Sequence, residues 1–247
     1  MILLSMTRTE IRDAIRADYP TIVPKVAEVS KQWRKQVLRS NRQRRMVRVD
    51  SVTCVKSKQE YLFIHTWDPN IRRLDYFILF AVVHDYNTYY IADPLNDSGS
   101  ERDVLTVYTN HFFLRFAERT GMGRDTPVEK AIAAYYRGYT HPVLLYWGKE
   151  GDDKSHRAVY AEQQGIKLTD VVPDKWIIYR TFVSLDMLKP SQRKAYRNIM
   201  EVMERTNDLR NKCERKYEDF YSYVKDNEAD IALINEACDI YAQYFDS

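Results

Sequence analysis

The chain of 247 residues contains little cysteine, glycine or proline: three Cys, seven Gly and eight Pro. Because so few residues break regular structure, a collagenous, linker-rich or largely disordered chain is excluded. The cysteines are odd in number and show no Cys-x-x-Cys spacing, which argues against a secreted disulfide scaffold and a zinc site of the usual type. We therefore expect a folded protein of a reducing cytoplasm.

Long hydrophobic runs and common catalytic motifs are also missing. No window approaches 18 uninterrupted apolar residues, so no membrane partner is expected. The sequence has no HExxH, GxGxxG or GxxxxGK[ST] pattern, and no GxSxG nucleophile elbow. We accordingly expect neither a cofactor nor a bound metal.

Charge is nearly balanced overall but not along the chain. The formal net charge is +3, yet residues 1–49 carry +8 and residues 218–247 carry −7. Eight Lys and Arg, and no acid, lie between Lys31 and Arg48. This pattern predicts an arm that binds a polyanion, or two ends that attract each other within or between chains; a solvated helix face remains the alternative.

Hydrophobic periodicity predicts an α+β fold. Basic N-terminal helices over residues 8–46, broken at Pro20 and Pro24, precede a mixed, mainly antiparallel β core with two central helices and a C-terminal helical hairpin. The predicted domains are a basic helical arm (1–48), an α+β core (49–188) and an amphipathic hairpin (189–247). Strands are expected at 47–55, 61–67, 76–84, 88–92, 105–108, 142–147, 157–162, 166–172 and 176–183.

Turn and cap signals add detail to this prediction. A hairpin turn is expected at residues 85–87 and another at Gly165. The first central helix runs from Asn110 to Thr120, and the second opens at Thr126 with a predicted capping box completed by Glu129. After Pro190 the apolar spacing predicts an amphipathic helix of about 35 residues.

The first central helix contains the best candidate for chemistry. His111, Arg115 and Arg119 recur every four residues, so they project from one helix face. An imidazole moves a proton near neutral pH, and guanidinium groups stabilise the charge that develops at a phosphorus under attack. RNA supplies its own 2′-hydroxyl nucleophile. The competing interpretation is structural, with His111 as a cap and Arg115 paired with Glu118.

Other polar residues are weaker candidates for phosphate contacts. Arg180 lies within the predicted apolar strand 176–183, where a buried guanidinium needs a partner, so it marks a strand end, pairs with an acid or contributes to a phosphate site. His156 opens another strand beside an arginine. His65 and His84 lie within strands and are expected to be core or edge residues.

The order of elements around the helix motif carries a resemblance. A His-x-x-x-Arg-x-x-x-Arg helix is followed by a helix ending in Gly and by antiparallel-looking strands. Over residues 105–188 this order resembles small toxin-like domains related to RelE- and BrnT-type ribonuclease toxins. The resemblance implies a metal-independent ribonuclease face formed by His111, Arg115 and Arg119.

Two functional hypotheses result. In the first, the chain is a nucleic-acid-binding, toxin-like protein and a metal-independent ribonuclease, whose partner is RNA or another polyanion. His111 is then the general acid or base, Arg115 and Arg119 hold phosphate, and the nucleic acid is contacted by Arg42, Arg44, Arg45, His156 and Arg180. In the second, it is a non-catalytic interaction or structural protein of the mobile-element or phage type. Such a protein assembles through its oppositely charged ends. The C-terminal helices are expected either to pack on the core or to form a homo-oligomer contact.

Overall fold

The computed structural model describes residues 1–39, 45–68, 73–92, 105–138, 143–149, 155–162, 164–172, 176–212 and 220–245. The fold is α+β, as predicted. Six helices occur in these ranges: α1 Arg8–Arg39, α2 Asn110–Arg119, α3 Val128–Arg137, α4 Pro190–Lys212, α5 Phe220–Lys225 and α6 Glu228–Phe245. The nine strands are β1 Met46–Thr53, β2 Glu60–Asp68, β3 Arg73–His84, β4 Thr88–Ala92, β5 Leu105–Thr109, β6 Val143–Trp147, β7 His156–Glu162, β8 Gly165–Val172 and β9 Trp176–Ser184.

The strands follow the hydrogen-bonded order β1-β2-β3-β4-β5-β9-β8-β7-β6. Strands β1 to β5 form an antiparallel meander, β6 pairs antiparallel with β7, and β5 pairs parallel with β9. The turn predicted between β3 and β4 is confirmed, because the amide of Asp85 donates to the carbonyl of Asn87 at 2.9 Å. The mainly antiparallel core is therefore as expected.

The chain divides into two compact units. The first comprises Met1–Gly138 and Val171–Thr181, and the second comprises Tyr139–Asp170 and Phe182–Ser247. Residues of the predicted 49–188 core contribute to both units.

One sheet face of the first unit packs against α1. Alternate residues of neighbouring strands, such as Tyr61 and Phe63 on β2 and Leu79 and Ala81 on β3, point to this face and are buried. The helix supplies a stripe of aliphatic residues at helical spacing: Ile11, Ile15, Ile22 and Val26.

The predicted break of the N-terminal helix is wrong, since α1 continues through both Pro20 and Pro24. The buried aliphatic stripe spans the two prolines, so packing on the sheet favours one continuous helix over the local cost of each proline. Asp18 of α1 adds hydrogen bonds: its carboxylate accepts one from the Ser57 hydroxyl at 2.5 Å and one from the Tyr61 hydroxyl at 2.7 Å. Tertiary contacts therefore overrule the helix-breaking signal.

The other sheet face carries an aromatic core beneath α2 and α3. Tyr108 on β5 stacks on Tyr179 of β9 at 4.6 Å between ring centroids and on Phe113 of α2 at 5.2 Å. Tyr135 and Tyr136 of α3 are also buried. These tyrosines thus serve packing.

In the second unit, α4 and α6 pack together as the predicted C-terminal helical pair, on an apolar core shared with β6, β7 and β8. The buried Asp230 of α6 accepts from Arg205 of α4 and, at 2.7 Å, from the Tyr223 hydroxyl of α5. The expected helix of about 35 residues is observed to Lys212, and residues 213–219 lie outside the described ranges. A membrane-crossing helix is not found in the portion of the chain that the structure covers.

Acid sensitivity is expected from His65, which is 1% exposed between Trp33 and Phe63 and lies 3.1 Å from the Ser30 hydroxyl. Burial, with a smaller effect of Arg48, lowers its pKa to about 4. The unfolded chain binds this proton at its ordinary pKa near 6.5, so stability falls as the pH drops from about 6.5 to about 4, by about 3 kcal/mol.

Urea unfolding across this pH range, compared with His65→Gln, measures the effect. The variant should lose most of the pH dependence, whereas the exposed-histidine control His84→Gln should keep it. Equal slopes for wild type and His65→Gln would contradict the assignment.

A second stability prediction concerns Gly165, at the start of β8. A Cβ at this position would lie 2.3 Å from the carbonyl oxygen of Val183 and 2.7 Å from the Phe182 ring, and φ is +155°. Gly165→Ala should therefore lower the free energy of unfolding by about 3 kcal/mol through overpacking. Gly121→Ala, with φ +78° but no atom within 4 Å, should lose only about 1 kcal/mol. Urea denaturation of both variants tests this order, and a Gly165→Ala chain as stable as wild type would refute it.

Candidate functional site

The first turn of α2 is fixed by Thr109, its N-cap residue. The Thr109 hydroxyl accepts a hydrogen bond from the Phe112 amide at 3.1 Å, which satisfies one of the free donors of the helix start. The same hydroxyl lies 3.2 Å from the carbonyl oxygen of Tyr179 and 3.3 Å from that of Arg180, and donates to them. The start of α2 is thus held against β9.

The inner face of α2 then fixes the rotation of the helix. Phe112, Phe113, Phe116 and Ala117 are buried, each at 1% exposure or less. Because these residues occupy the sheet side, the remaining positions of α2 must face outwards.

The outward positions include the three candidate residues, which we call the arginine ridge: His111, Arg115 and Arg119. His111 is exposed and the two arginines are half-buried. The Nε of Arg115 donates to Nε2 of His111 at 3.3 Å, and Nη1 of Arg119 donates to the Thr181 hydroxyl at 3.4 Å. The predicted common face is confirmed by this geometry.

Glu118 neutralises part of the ridge. Its carboxylate lies 2.6 Å from Nη1 of Arg115 and 2.5 Å from Nε of Arg124. These two hydrogen bonds lower the pKa of Glu118, so the carboxylate is ionised at neutral pH. The predicted pair of Arg115 with Glu118 is therefore present. Arg115 also keeps its hydrogen bond to His111.

The His111 side chain is a neutral imidazole at neutral pH. Partial burial, then the charges of Arg115 and Arg119, lower its pKa below the ordinary value, while Glu118 opposes them. Since Nε2 accepts from Arg115, the ring proton of this neutral form sits on Nδ1. Together with its neighbours Arg124 and Glu118, the ridge accordingly presents three guanidinium groups, one carboxylate and one proton acceptor.

Two other predicted residues of the first unit do not join the ridge. Arg180 is exposed, and strand alternation sends its side chain to the sheet face opposite Tyr179 and Thr181. Arg45 is half-buried immediately before β1, the edge strand, whereas α2 leaves from β5 in the middle of the strand order. Arg42 and Arg44 lie outside the described residues.

His156 belongs to the second unit. Its ring lies on Trp147, with 4.0 Å between ring centroids, at the paired ends of β7 and β6. Trp147 itself is 52% exposed. Within its own unit, His156 therefore forms an aromatic contact at the surface.

A cavity of about 360 Å³ that the sequence did not indicate lies beside the ridge. It is bounded by the sheet and by the first turns of α2 and α3, and its polar lining comprises Glu60, His84, Thr88, Tyr90, Asn110 and Glu129. His84 was expected at a core or edge position, and it instead lies exposed at the end of β3, 3.4 Å from Glu60. The register of β2 and β3, not the local sequence, brings these residues together.

The capping box predicted for α3 is wrong. Pro127 is the N-cap residue and makes no side-chain cap bond, while the Thr126 hydroxyl donates to the carbonyl of Met122 at 3.0 Å. Glu129 lines the cavity. Over the described part of the chain, no group of three or more His, Cys, Asp and Glu is arranged to hold a metal ion.

The electrostatics of the ridge can be tested by titrating His111. Arg115→Gln should raise the pKa of His111, because a nearby positive charge is removed. Glu118→Gln should lower it, because the opposing negative charge is lost. The imidazole resonances measured by NMR against pH give both values. Lys130→Gln, an exposed change on α3, is the control, and equal shifts in all three variants would contradict the geometry.

Comparison with known proteins gives no relative: no family model, curated protein or solved structure matches this chain. The function is therefore inferred from the chain's own residues.

Proposed function

We propose that the first unit binds the phosphodiester backbone of RNA through the arginine ridge, and that His111 acts as a proton acceptor in metal-independent RNA cleavage. The observation that carries the proposal is the alignment of His111, Arg115 and Arg119 on the outer face of a helix held at its start by Thr109. The family resemblance over residues 105–188 stays a prediction.

Binding follows from charge and shape. Guanidinium groups donate paired hydrogen bonds to phosphate oxygens, and they keep their charge at any physiological pH. Arg119 and Arg115 lie one helical turn apart, about 6 Å along the axis, which is close to the spacing of successive phosphates in a nucleic-acid strand. Two neighbouring phosphates of one strand are the expected contacts.

Cleavage requires one further step. His111 takes the proton of the ribose 2′-hydroxyl at Nε2, after Arg115 has moved its hydrogen bond from this nitrogen to a phosphate oxygen. The 2′-oxygen then attacks the adjacent phosphorus. The P–O5′ bond breaks, a 2′,3′-cyclic phosphate forms, and the leaving 5′-oxygen takes a proton from water. The lowered pKa of His111 keeps the imidazole unprotonated at neutral pH, as a base requires. The arginines stabilise the charge that develops on the phosphate oxygens.

Labelled single-stranded RNA tests the two parts separately. Arg115→Ala and Arg119→Ala should each weaken binding and reduce the slope of log affinity against log salt by about one. His111→Ala should retain most of the binding and lose cleavage in the presence of EDTA. Anisotropy titrations and product analysis by gel or mass spectrometry measure these effects. Lys130→Ala removes one exposed charge from α3 and is the matched control.

Each outcome decides a part of the proposal. Absence of RNA binding by the wild type, or an equal loss from Lys130→Ala, would refute the ridge as the binding face. Binding without EDTA-resistant cleavage would refute the role of His111. A change of oligomeric state with salt, in a chain that does not bind RNA, would favour the alternative of assembly through oppositely charged ends.

A further inference from the structure

The cavity beside α2 has a polar group that the fold itself leaves without a partner. Asn110, at the start of α2, lines the cavity, and its buried side-chain oxygen Oδ1 has no hydrogen-bond partner among the described residues. A buried acceptor normally has a partner, so this atom indicates a place for a donor group of a ligand. Tyr90 also lines the cavity; it is 3% exposed, and its ring packs edge-on against Phe113 at 5.5 Å and Phe80 at 6.3 Å.

Tyr90 lies near two carboxylates. The pKa of its hydroxyl is raised first by burial, and then by the negative charges of Glu129 and Glu60. Tyr90 and both glutamates line the same cavity. The two carboxylates come from different elements, Glu60 from β2 and Glu129 from the first turn of α3.

Few positively charged side chains of the described residues lie near Glu60 and Glu129. His84 lies 3.4 Å from Glu60 and 3.2 Å from the Thr88 hydroxyl, and its side chain is 64% exposed. No cationic side chain of the described ranges pairs with Glu129. The cavity is therefore rich in hydrogen-bond acceptors and negative in potential, unlike the ridge on the adjacent face of α2.

The rest of the lining is apolar. Leu62 and Val82 lie side by side on the sheet, and Leu114 of α2 and Val128 of α3 complete the walls. A cavity of about 360 Å³, lined by both apolar and polar side chains, is of the size that small ligands occupy.

We propose that this cavity binds an alkylammonium group, with the ammonium between Glu60, Glu129 and the Asn110 side-chain oxygen, near the Tyr90 hydroxyl, and the hydrocarbon stem on Leu62 and Leu114. An ammonium offers three donors and no acceptor, which matches the acceptors present. Carboxylates and phosphates are excluded as ligands by the two glutamates. The site is independent of the RNA proposal, because none of these residues belongs to the arginine ridge.

Isothermal titration of the full chain with n-pentylammonium tests the proposal. Pentylammonium should bind, whereas the neutral 1-pentanol and the anionic pentanoate should bind at least tenfold more weakly. Glu60→Gln and Glu129→Gln should each weaken binding about tenfold, since a hydrogen bond to a charged group is lost. Tyr90→Phe should weaken it about threefold.

Controls separate binding from folding. Glu28→Gln, an exposed glutamate on α1, should bind as the wild type does, and the melting temperature of every variant should be recorded. Perturbation of the Tyr90 ring resonances on titration gives a second readout in the unmodified chain.

Two further titrations, one with a free amine and one with a lysine derivative, identify the source of the ammonium group. Tighter binding of free cadaverine than of Nα-acetyl-lysine methylamide assigns a small amine as the ligand, and the reverse assigns a lysine side chain of another protein. Equal affinity for pentanol and pentylammonium, wild-type affinity in both glutamate variants, or no binding at millimolar concentration would overturn the proposal.

Discussion

The placement of α2 depends on the hydroxyl of Thr109, which connects the start of the helix to β9. A single Oγ accepts from the Phe112 amide and donates to the strand backbone, so position and direction are set together. The phenylalanines below α2 then allow one rotation of the helix. The arginine ridge and one wall of the cavity take their positions from this arrangement, because both lie on the same short helix.

This helix separates two surfaces of opposite charge. The ridge side carries guanidinium groups with Glu118 as a partial counter-charge, and the cavity side faces Glu60 and Glu129. Salt screens exposed charges beyond about 10 Å, so each side acts mainly on ligands in direct contact with it. An anionic strand and a small cation can therefore occupy neighbouring faces without competing for the same groups.

Much of the fold is predictable from local pattern. Strand β4 was expected and observed at residues 88–92, and the α2 face follows from the four-residue spacing of its charged residues. The errors occur where distant contacts outweigh local signals. Pro20 does not interrupt α1, because the sheet buries residues on both sides of it. Thr126 does not cap α3, because its hydroxyl bonds to the preceding turn. The cavity could not be predicted for the same reason, since Tyr90 and Glu129 lie on different elements and only the fold brings them together.

The sequence alone determined the α+β class, the nearly neutral total with oppositely charged ends, and the grouping of His111, Arg115 and Arg119, because composition and periodicity along one element carry this information. Only the tertiary structure decided that Thr109 holds the start of α2 against β9, and that Glu60, Tyr90 and Glu129 share a cavity. These facts depend on strand register and on the rotation of α2 and α3, which are set by packing between residues far apart in the chain.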